Sequence, residues 1–351
     1  MTRHTNSNHS CNFFDIARHI AALMVILSHH FAFSGLDEPR INESTKLGSF
    51  AVIVFFSISG YLITKSKLHS KSSYSFIKKR ILRIWPGLIA CAFFTTYIIC
   101  GLFGKTGLFD WATSVQAIKT FMYYSLLGSH ASDIQTNFFS SGFIFSSSVN
   151  SSLWTLLFEV LDYMIVLIVF SLFNKKLAST LFLAGSICVF LINYKLSISA
   201  YYLSRLSSLS IPFAIGSILF TFDSLLKKRI LKYITLLLGI AFFLLSLNYC
   251  NQFEWNPLTL ISTPLIIIPL CISFNDFIIK GRFDFSYGVY VYAFPVQQAV
   301  VNLVTHDFIK SLLISLIITI LLAMCSWYFI ESIFLERKKR PSAIPIEIVN
   351  Q

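Results

Sequence analysis

Little of this chain is charged. Asp, Glu, Lys and Arg make up 13% of its 351 residues, about half the share usual in a soluble domain. Acidic residues are scarcer still, 16 against 28 basic ones. That composition excludes a soluble globular fold. None of the seven cysteines stands in a Cys-x-x-Cys pair, so they read as small apolar packers and not as redox or metal groups. There is no internal repeat and no low-complexity linker. No small-residue cleavage site follows a short apolar core near the N-terminus, so no removed signal peptide is expected.

What the chain has is apolar length. Its 55% hydrophobic residues gather in ten stretches, 13–33, 47–64, 84–104, 153–173, 177–194, 208–222, 230–249, 258–274, 285–304 and 311–335. Crossing a bilayer takes about 20 helical residues, so the shorter stretches predict tilt, distortion or polar ends. The fold class expected is all-α: a polytopic membrane protein of about ten transmembrane helices. It forms a single integral-membrane domain over residues 1–351 with no extra soluble domain.

The net charge of +12 is distributed by side. With the N-terminus placed inside and the stretches alternating, 21 of the 28 basic residues fall on the inner face, among them Lys65 to Arg83, Lys227 to Lys232 and Arg337 to Arg340. The outer face keeps Arg40, Lys46, Lys105, Lys119, Lys195, Arg205 and Lys310. This positive-inside asymmetry predicts cytoplasmic termini and removes nucleic acid as the reason for the basic balance. Residues 34–46 form a short polar outer loop. Residues 65–83 form a basic inner connection, helical toward its end because Tyr74 to Trp85 holds no breaker before Pro86. Residues 105–152 are the one long loop, outward-facing. Within it Trp111, Val115, Ile118, Met122 and Leu126 recur at helical spacing and predict a helix lying on the membrane surface. The rest, Gly128 to Ser152, reads either as a functional loop or as a connector.

Ionisable residues inside spans are expensive to keep and mark functional positions. Arg18 and His29 stand eleven residues apart, which at 100° per residue returns them to one helix face, ~16 Å apart along the axis. Asp15 is placed to pair with Arg18. An imidazole can take a proton from an alcohol and return it, so His29 is the candidate general base. His30 points elsewhere and is the weaker candidate; His19 faces away from Arg18. Ser57, Ser59 and Gly60 read as a close-packing motif. Arg80 and Arg83, one turn apart, can converge on a phosphate or simply anchor topology at the headgroups. Glu159 and Asp162 share a face of the fourth stretch, and alternation puts Glu159 at the depth of His29. A carboxylate there would fix the imidazole and stabilise its protonated form. Trp154 at the outer mouth reads as an interfacial anchor or as a sugar-stacking ring. Gln297 and Gln298 need partners, and Glu331 is expected to pair with Arg337–Arg340.

Taken in order, these residues resemble the membrane acyltransferase 3 family, integral O-acyltransferases that modify bacterial surface glycans. Arg18 with His29 looks like its arginine–ten residues–histidine signature. Phe55 to Ile63, Arg80-Ile-Leu-Arg-Ile-Trp-Pro86, Ser152-Leu-Trp-Thr-Leu-Leu-Phe-Glu159, Ser286-Tyr287-Gly-Val-Tyr290 and Glu331 are similar to its further motifs. Two departures stand out. Ala293 occupies a position where many members have a histidine, and the hydrolase-like extracytoplasmic domain of some members is not expected.

The resemblance implies a multi-pass enzyme of the bacterial inner membrane with no bound cofactor and no metal. Acetyl-CoA would be its cytoplasmic acyl donor. A saccharide hydroxyl, possibly lipid-linked, in lipopolysaccharide O-antigen or exopolysaccharide would be its acceptor. The expected roles are catalytic for His29 and Glu159, and donor-binding for Arg18, Arg80 and Arg83. Asp15, Trp154, Asp162, Tyr287 and Gln297 would bind the acceptor or support the site. Direct transfer and an acetyl-histidine intermediate both satisfy these roles. A transporter or flippase for a glycan or small anion is the rival class, and it calls for duplicated halves with broken spans, which the sequence lacks. Acyl transfer to peptidoglycan, a lipid or a secreted small molecule is the second rival.

Overall fold

The computed structural model describes residues 13–129, 137–139, 142–146, 148–195, 201–248, 255–276, 279 and 283–336. Arg3, Cys11, Cys250, Lys280, Arg282 and Arg337–Arg340 lie outside the described residues, and with them the partners expected for Glu331. Each of the ten apolar stretches is helical. In chain order the helices are α1 (Phe14–Phe33), α2 (Leu47–Leu68), α3 (Ser73–Leu102), α4 (Leu108–Ala112), α5 (Val115–Ser125), α6 (Trp154–Leu172), α7 (Lys175–Lys195), α8 (Tyr201–Thr221), α9 (Arg229–Asn248), α10 (Pro257–Ser273), α11 (Ser286–Leu303) and α12 (Phe308–Leu335). Among the described residues, eight helices are long and apolar enough to cross a membrane. Of the remaining expected spans, α10 has 17 residues and α11 has 18. Among the described residues the one sheet is a two-stranded antiparallel hairpin, β1 (Arg40–Asn42) and β2 (Thr45–Lys46).

The protein is held together where small residues let helices touch. A Cβ on Gly60 of α2 would lie 1.9 Å from the Phe213 carbonyl oxygen of α8, and one on Gly216 would lie 2.3 Å from the Ser57 carbonyl oxygen. The two backbones are therefore in contact from both sides, as close packing in lipid requires. One turn on, Thr64 Oγ1 donates to Ser217 Oγ at 2.8 Å.

Helix α3 joins the end of the basic connection and the third apolar stretch into one helix. It starts at Ser73, where the Ser72 side chain accepts from the Ser75 N–H, and continues through Pro86. A proline deletes one backbone hydrogen bond, which packed neighbours in a membrane protein can absorb. Gly87 makes that packing close, because a Cβ there would meet the Tyr287 ring at 2.8 Å and the Glu331 carboxyl carbon at 3.2 Å. The helix then widens into a π turn at Phe94–Ile99, whose Thr96 carbonyl accepts a 2.8 Å bond from Trp111 Nε1.

The surface helix expected over 111–127 is divided. Trp111 belongs to α4 and is buried, and α5 begins after Ser114, whose hydroxyl caps the Ala117 N–H. Val115, Ile118, Met122 and Leu126 are exposed, while Thr120 and Tyr124 face the protein. An outward apolar row suits a helix lying in the membrane interface.

Helix α6 starts inside the protein. Val149, Asn150, Ser152 and Leu153 are buried ahead of it. Asn150 Nδ2 donates to the Val291 carbonyl at 3.0 Å, and Gln298 Nε2 donates to the carbonyls of Phe145 and Ser148 at 2.7 Å each. The long loop thus dips into the protein on the side of α11.

Candidate active site

Two cavities lie along α1, named outer and inner after the sidedness that the charge pattern predicts. The outer one is about 800 Å³ and is lined by His29, Glu38, Arg40, Lys46, Trp154, Arg205, Trp255, Tyr290 and Phe294, among others. The inner one is smaller, about 120 Å³, with Arg18, Ser59, Arg80, Arg83, Glu159, Tyr163, Tyr287 and Tyr290 in its wall. Val52 and Tyr290 line both. A neck at these two residues therefore separates the cavities. Across it Tyr290 Oη and Thr155 Oγ1 are hydrogen-bonded at 2.7 Å, and Phe55 meets the Tyr290 ring edge-on at 5.5 Å.

Helix periodicity puts Arg18 and His29 on one face, and the structure gives one to each cavity. His29 is half-buried. Its Nδ1 is buried without a hydrogen-bond partner among the described residues, and its ring meets Phe294 edge-on at 5.1 Å. The other ring nitrogen is thus the one within reach of the cavity. His30 is fully buried, with Nε2 3.0 Å from the Phe308 carbonyl and 3.1 Å from Ser311 Oγ. It pins α1 to α12.

The inner cavity is an ion network. Arg18 pairs with Asp15 and, at 3.0 Å, with Asp284. Arg83 reaches the same Asp284 oxygen at 2.6 Å and lies 3.7 Å from Glu331. Ser286 Oγ donates to the other Asp284 oxygen at 2.6 Å. Burial by itself would push the Asp284 carboxyl up, but the two guanidinium groups outweigh it and hold the carboxyl far below the usual carboxylate range. Arg80 differs from its neighbour. Among the described residues it has no carboxylate within 4 Å, and its guanidinium sits 5.9 Å from the ring centres of Phe76 and Tyr163. Of the three arginines it has the charge least committed to protein partners.

Glu159 is where the sequence reading and the structure part. It was expected beside His29. Its hydrogen bonds come instead from Ser59 Oγ at 2.7 Å and Tyr163 Oη at 2.5 Å, among the arginines of the inner cavity. Asp162 turns the other way and accepts from Ser210 Oγ of α8 at 2.6 Å, lining neither cavity. Gln297 donates to the Ile26 carbonyl at 2.9 Å and lies 3.3 Å from His30 Nδ1, so it serves the wrong histidine for an acceptor site. Tyr287 lines the inner cavity, donates to the Ile84 carbonyl at 3.0 Å and lies under Arg83. Trp154 lines the outer cavity, its ring 6.3 Å from that of Trp255, with the Arg205 guanidinium 5.1 Å over it.

Sequence reasoning missed Asp284, Tyr163, Trp255, Arg205 and Glu38. Asp284 had one signal, an acid just ahead of the Ser286-Tyr287 motif on the side of the arginines. Two carboxylates line the cavity of His29, Glu38 and Glu43, both from the short polar loop 34–46, and Glu38 is the one tied to α1. Ser28 Oγ and Lys46 Nζ each donate to it at 2.6 Å.

Comparison with known proteins places this arrangement. The family described as "acyltransferase domain" matches residues 12–331. The chain is 33% identical to the "O-acetyl transferase" of Shigella phage Sf6 over 94% of its own length and 97% of that protein. It is 29% identical to "nodulation protein 10" of Rhizobium leguminosarum bv. viciae over 45% of its own length and 44% of that protein. No solved structure matches it significantly.

Proposed function

We propose, because this chain belongs to the acyltransferase family and is a multi-pass membrane acyltransferase, that it moves an acetyl group from cytoplasmic acetyl-CoA to a hydroxyl of a surface polysaccharide. Lipopolysaccharide O-antigen in the bacterial inner membrane is the preferred acceptor. One observation carries this reading: an arginine-lined cavity and a histidine-lined cavity meet at a shared wall of Val52 and Tyr290. A donor that is anionic at one end and carries a thioester on a long thin arm fits that division.

In the proposed reaction the donor phosphates lie against Arg80, beside Arg18 and Arg83, which Asp284 holds in place. The arm passes the neck and brings its thioester to His29. His29 takes the proton of the acceptor hydroxyl, the new C–O bond forms, and the C–S bond breaks. The departing thiolate then receives the proton from His29. Trp154 and Trp255 offer flat apolar faces to a sugar ring. Glu159, held by Ser59 and Tyr163, balances arginine charge in the donor cavity.

The test is transfer of radiolabelled acetyl from acetyl-CoA to lipopolysaccharide by membranes containing the protein. Alkali-labile label in the polysaccharide is expected. Label in peptidoglycan or lipid alone would change the acceptor, and no ester label in any fraction would overturn the reading. In the same assay Arg80→Ala should raise the KM for acetyl-CoA roughly tenfold or more, the range of one lost charge-assisted contact, and leave the acceptor KM unchanged. An unchanged donor KM would return Arg80 to topology anchoring.

A further inference from the structure

We propose, on the premise that His29 is the base, that Glu38 is the carboxylate that serves it: a positioning residue whose fixed negative charge stabilises the imidazolium formed during transfer. Both groups line the outer cavity, and Glu38 bonds to Ser28, the residue directly before His29.

The surroundings of Glu38 are built to keep it there. Its two oxygens are taken separately, Oε2 by Ser28 Oγ and Oε1 by Lys46 Nζ, each at 2.6 Å. Ser28 Oγ is itself fixed by the Gly48 N–H at 2.9 Å. Lys46 ends the hairpin β1–β2, which closes with a 2.7 Å bond from the Leu47 N–H to the Pro39 carbonyl. Asn42 pins the hairpin to the helices beneath it. Its Nδ2 donates to Thr259 Oγ1 of α10 at 2.9 Å, and its Oδ1 accepts from the Thr45 N–H at 2.9 Å. The loop is therefore a rigid mount for one carboxylate.

That carboxylate is ionised. Burial pushes Glu38 up, but the hydrogen bonds from Lys46 and Ser28 and the nearby Lys46 and His29 outweigh it and bring the carboxyl below its ordinary value. Its side chain is 16% exposed, so its field is only partly screened. The other charged groups around the cavity are Arg40, Glu43, Lys46 and Arg205. Lys46 opposes the imidazolium and offsets part of the Glu38 charge through the pair the two make, and Glu38 holds its second oxygen on Ser28, next to His29. Glu38 takes no proton and forms no bond in the reaction. The proton resides on His29 until sulfur receives it.

The experiment measures kcat and both KM values for full-length Glu38→Gln and Glu38→Asp in membranes. Glu38→Gln is expected to lower kcat about tenfold, with both KM values within about twofold of normal. Glu38→Asp, which keeps the charge, should recover most of kcat. A normal kcat in Glu38→Gln would overturn the proposal. So would a defect confined to the acceptor KM, or a Glu38→Asp no better than Glu38→Gln. If Glu38→Gln fails to accumulate, Glu38→Asp decides: near-normal kcat supports the role of the charge, and a collapse with intact protein removes it. An active His29→Ala would instead remove the premise, whereas an inactive His29→Ala beside an unaffected Glu38→Gln would remove Glu38 alone.

Discussion

Replacing His29 with alanine is expected to lower acetyl transfer by about 10²- to 10⁴-fold, the usual worth of a positioned general base, while the protein accumulates in the membrane as before. The second half of that expectation comes from the packing. Among the described residues His29 makes no hydrogen bond, and its Nδ1 is buried unpaired. Deleting it costs one edge contact with Phe294 and relieves a buried polar atom. A histidine kept in a membrane without structural partners is kept for chemistry. His30 supplies the control. Its ring lies within hydrogen-bond reach of the Phe308 carbonyl and Ser311 and near Gln297, so His30→Ala should reduce folded protein more than turnover per folded molecule. An active His29→Ala, measured per molecule in membranes, would discard the assignment of the base.

Replacing Asp284 with alanine is expected to cost about 3–5 kcal/mol of stability, the range for removing one partner of a buried ion pair. Arg18 and Arg83 both converge on one of its oxygens, at 3.0 and 2.6 Å. Without it two guanidinium groups face each other around a narrow cavity, with Asp15 and Glu331 as the carboxylates left to them. The thermal midpoint in detergent should fall sharply, and Asp284→Ala combined with Arg83→Met should recover part of the loss, because one unpaired cation is then removed. The pH dependence has a definite sign. The Asp284 carboxyl is depressed in the folded protein, so its contribution is complete above the ordinary carboxylate range and is lost only as pH falls below about 4. Wild type should show that acid limb and Asp284→Ala should show it weakened. An unchanged midpoint for the single variant would mean that the network does not hold the cavity together.

The sequence made the scaffold legible for a simple reason. Burial in lipid demands apolar runs of fixed length, so all ten helices announce themselves. Helix periodicity likewise put Arg18 and His29 on one face, and their separate cavities follow from the same rise per residue. What local rules could not reach was depth and pairing between distant segments. Glu159 meets Ser59 and Tyr163 instead of His29, contacts that alternation of spans cannot foresee, because it fixes neither the facing of α6 nor the fold of the loop held by Asn150 and Gln298. Asp284 lies far along the chain from Arg18 and Arg83, with no periodicity to tie them together. Glu38 sits only nine residues beyond His29, yet outside any helix, so no register tells where its side chain points. That the connection and the third stretch form one helix through Pro86 depends on packing of Gly87 against Tyr287 and Glu331, which lie far along the chain.

Sidedness of the two substrates is the most direct measure of the mechanism. Sealed vesicles of known orientation can be given radiolabelled acetyl-CoA on one face and polysaccharide on the other. Label should reach the polysaccharide when the donor is on the Arg80 face and the acceptor on the His29 face, and not when the two are exchanged. Transfer that occurs only with both substrates on the same face would contradict a path through the neck at Val52 and Tyr290.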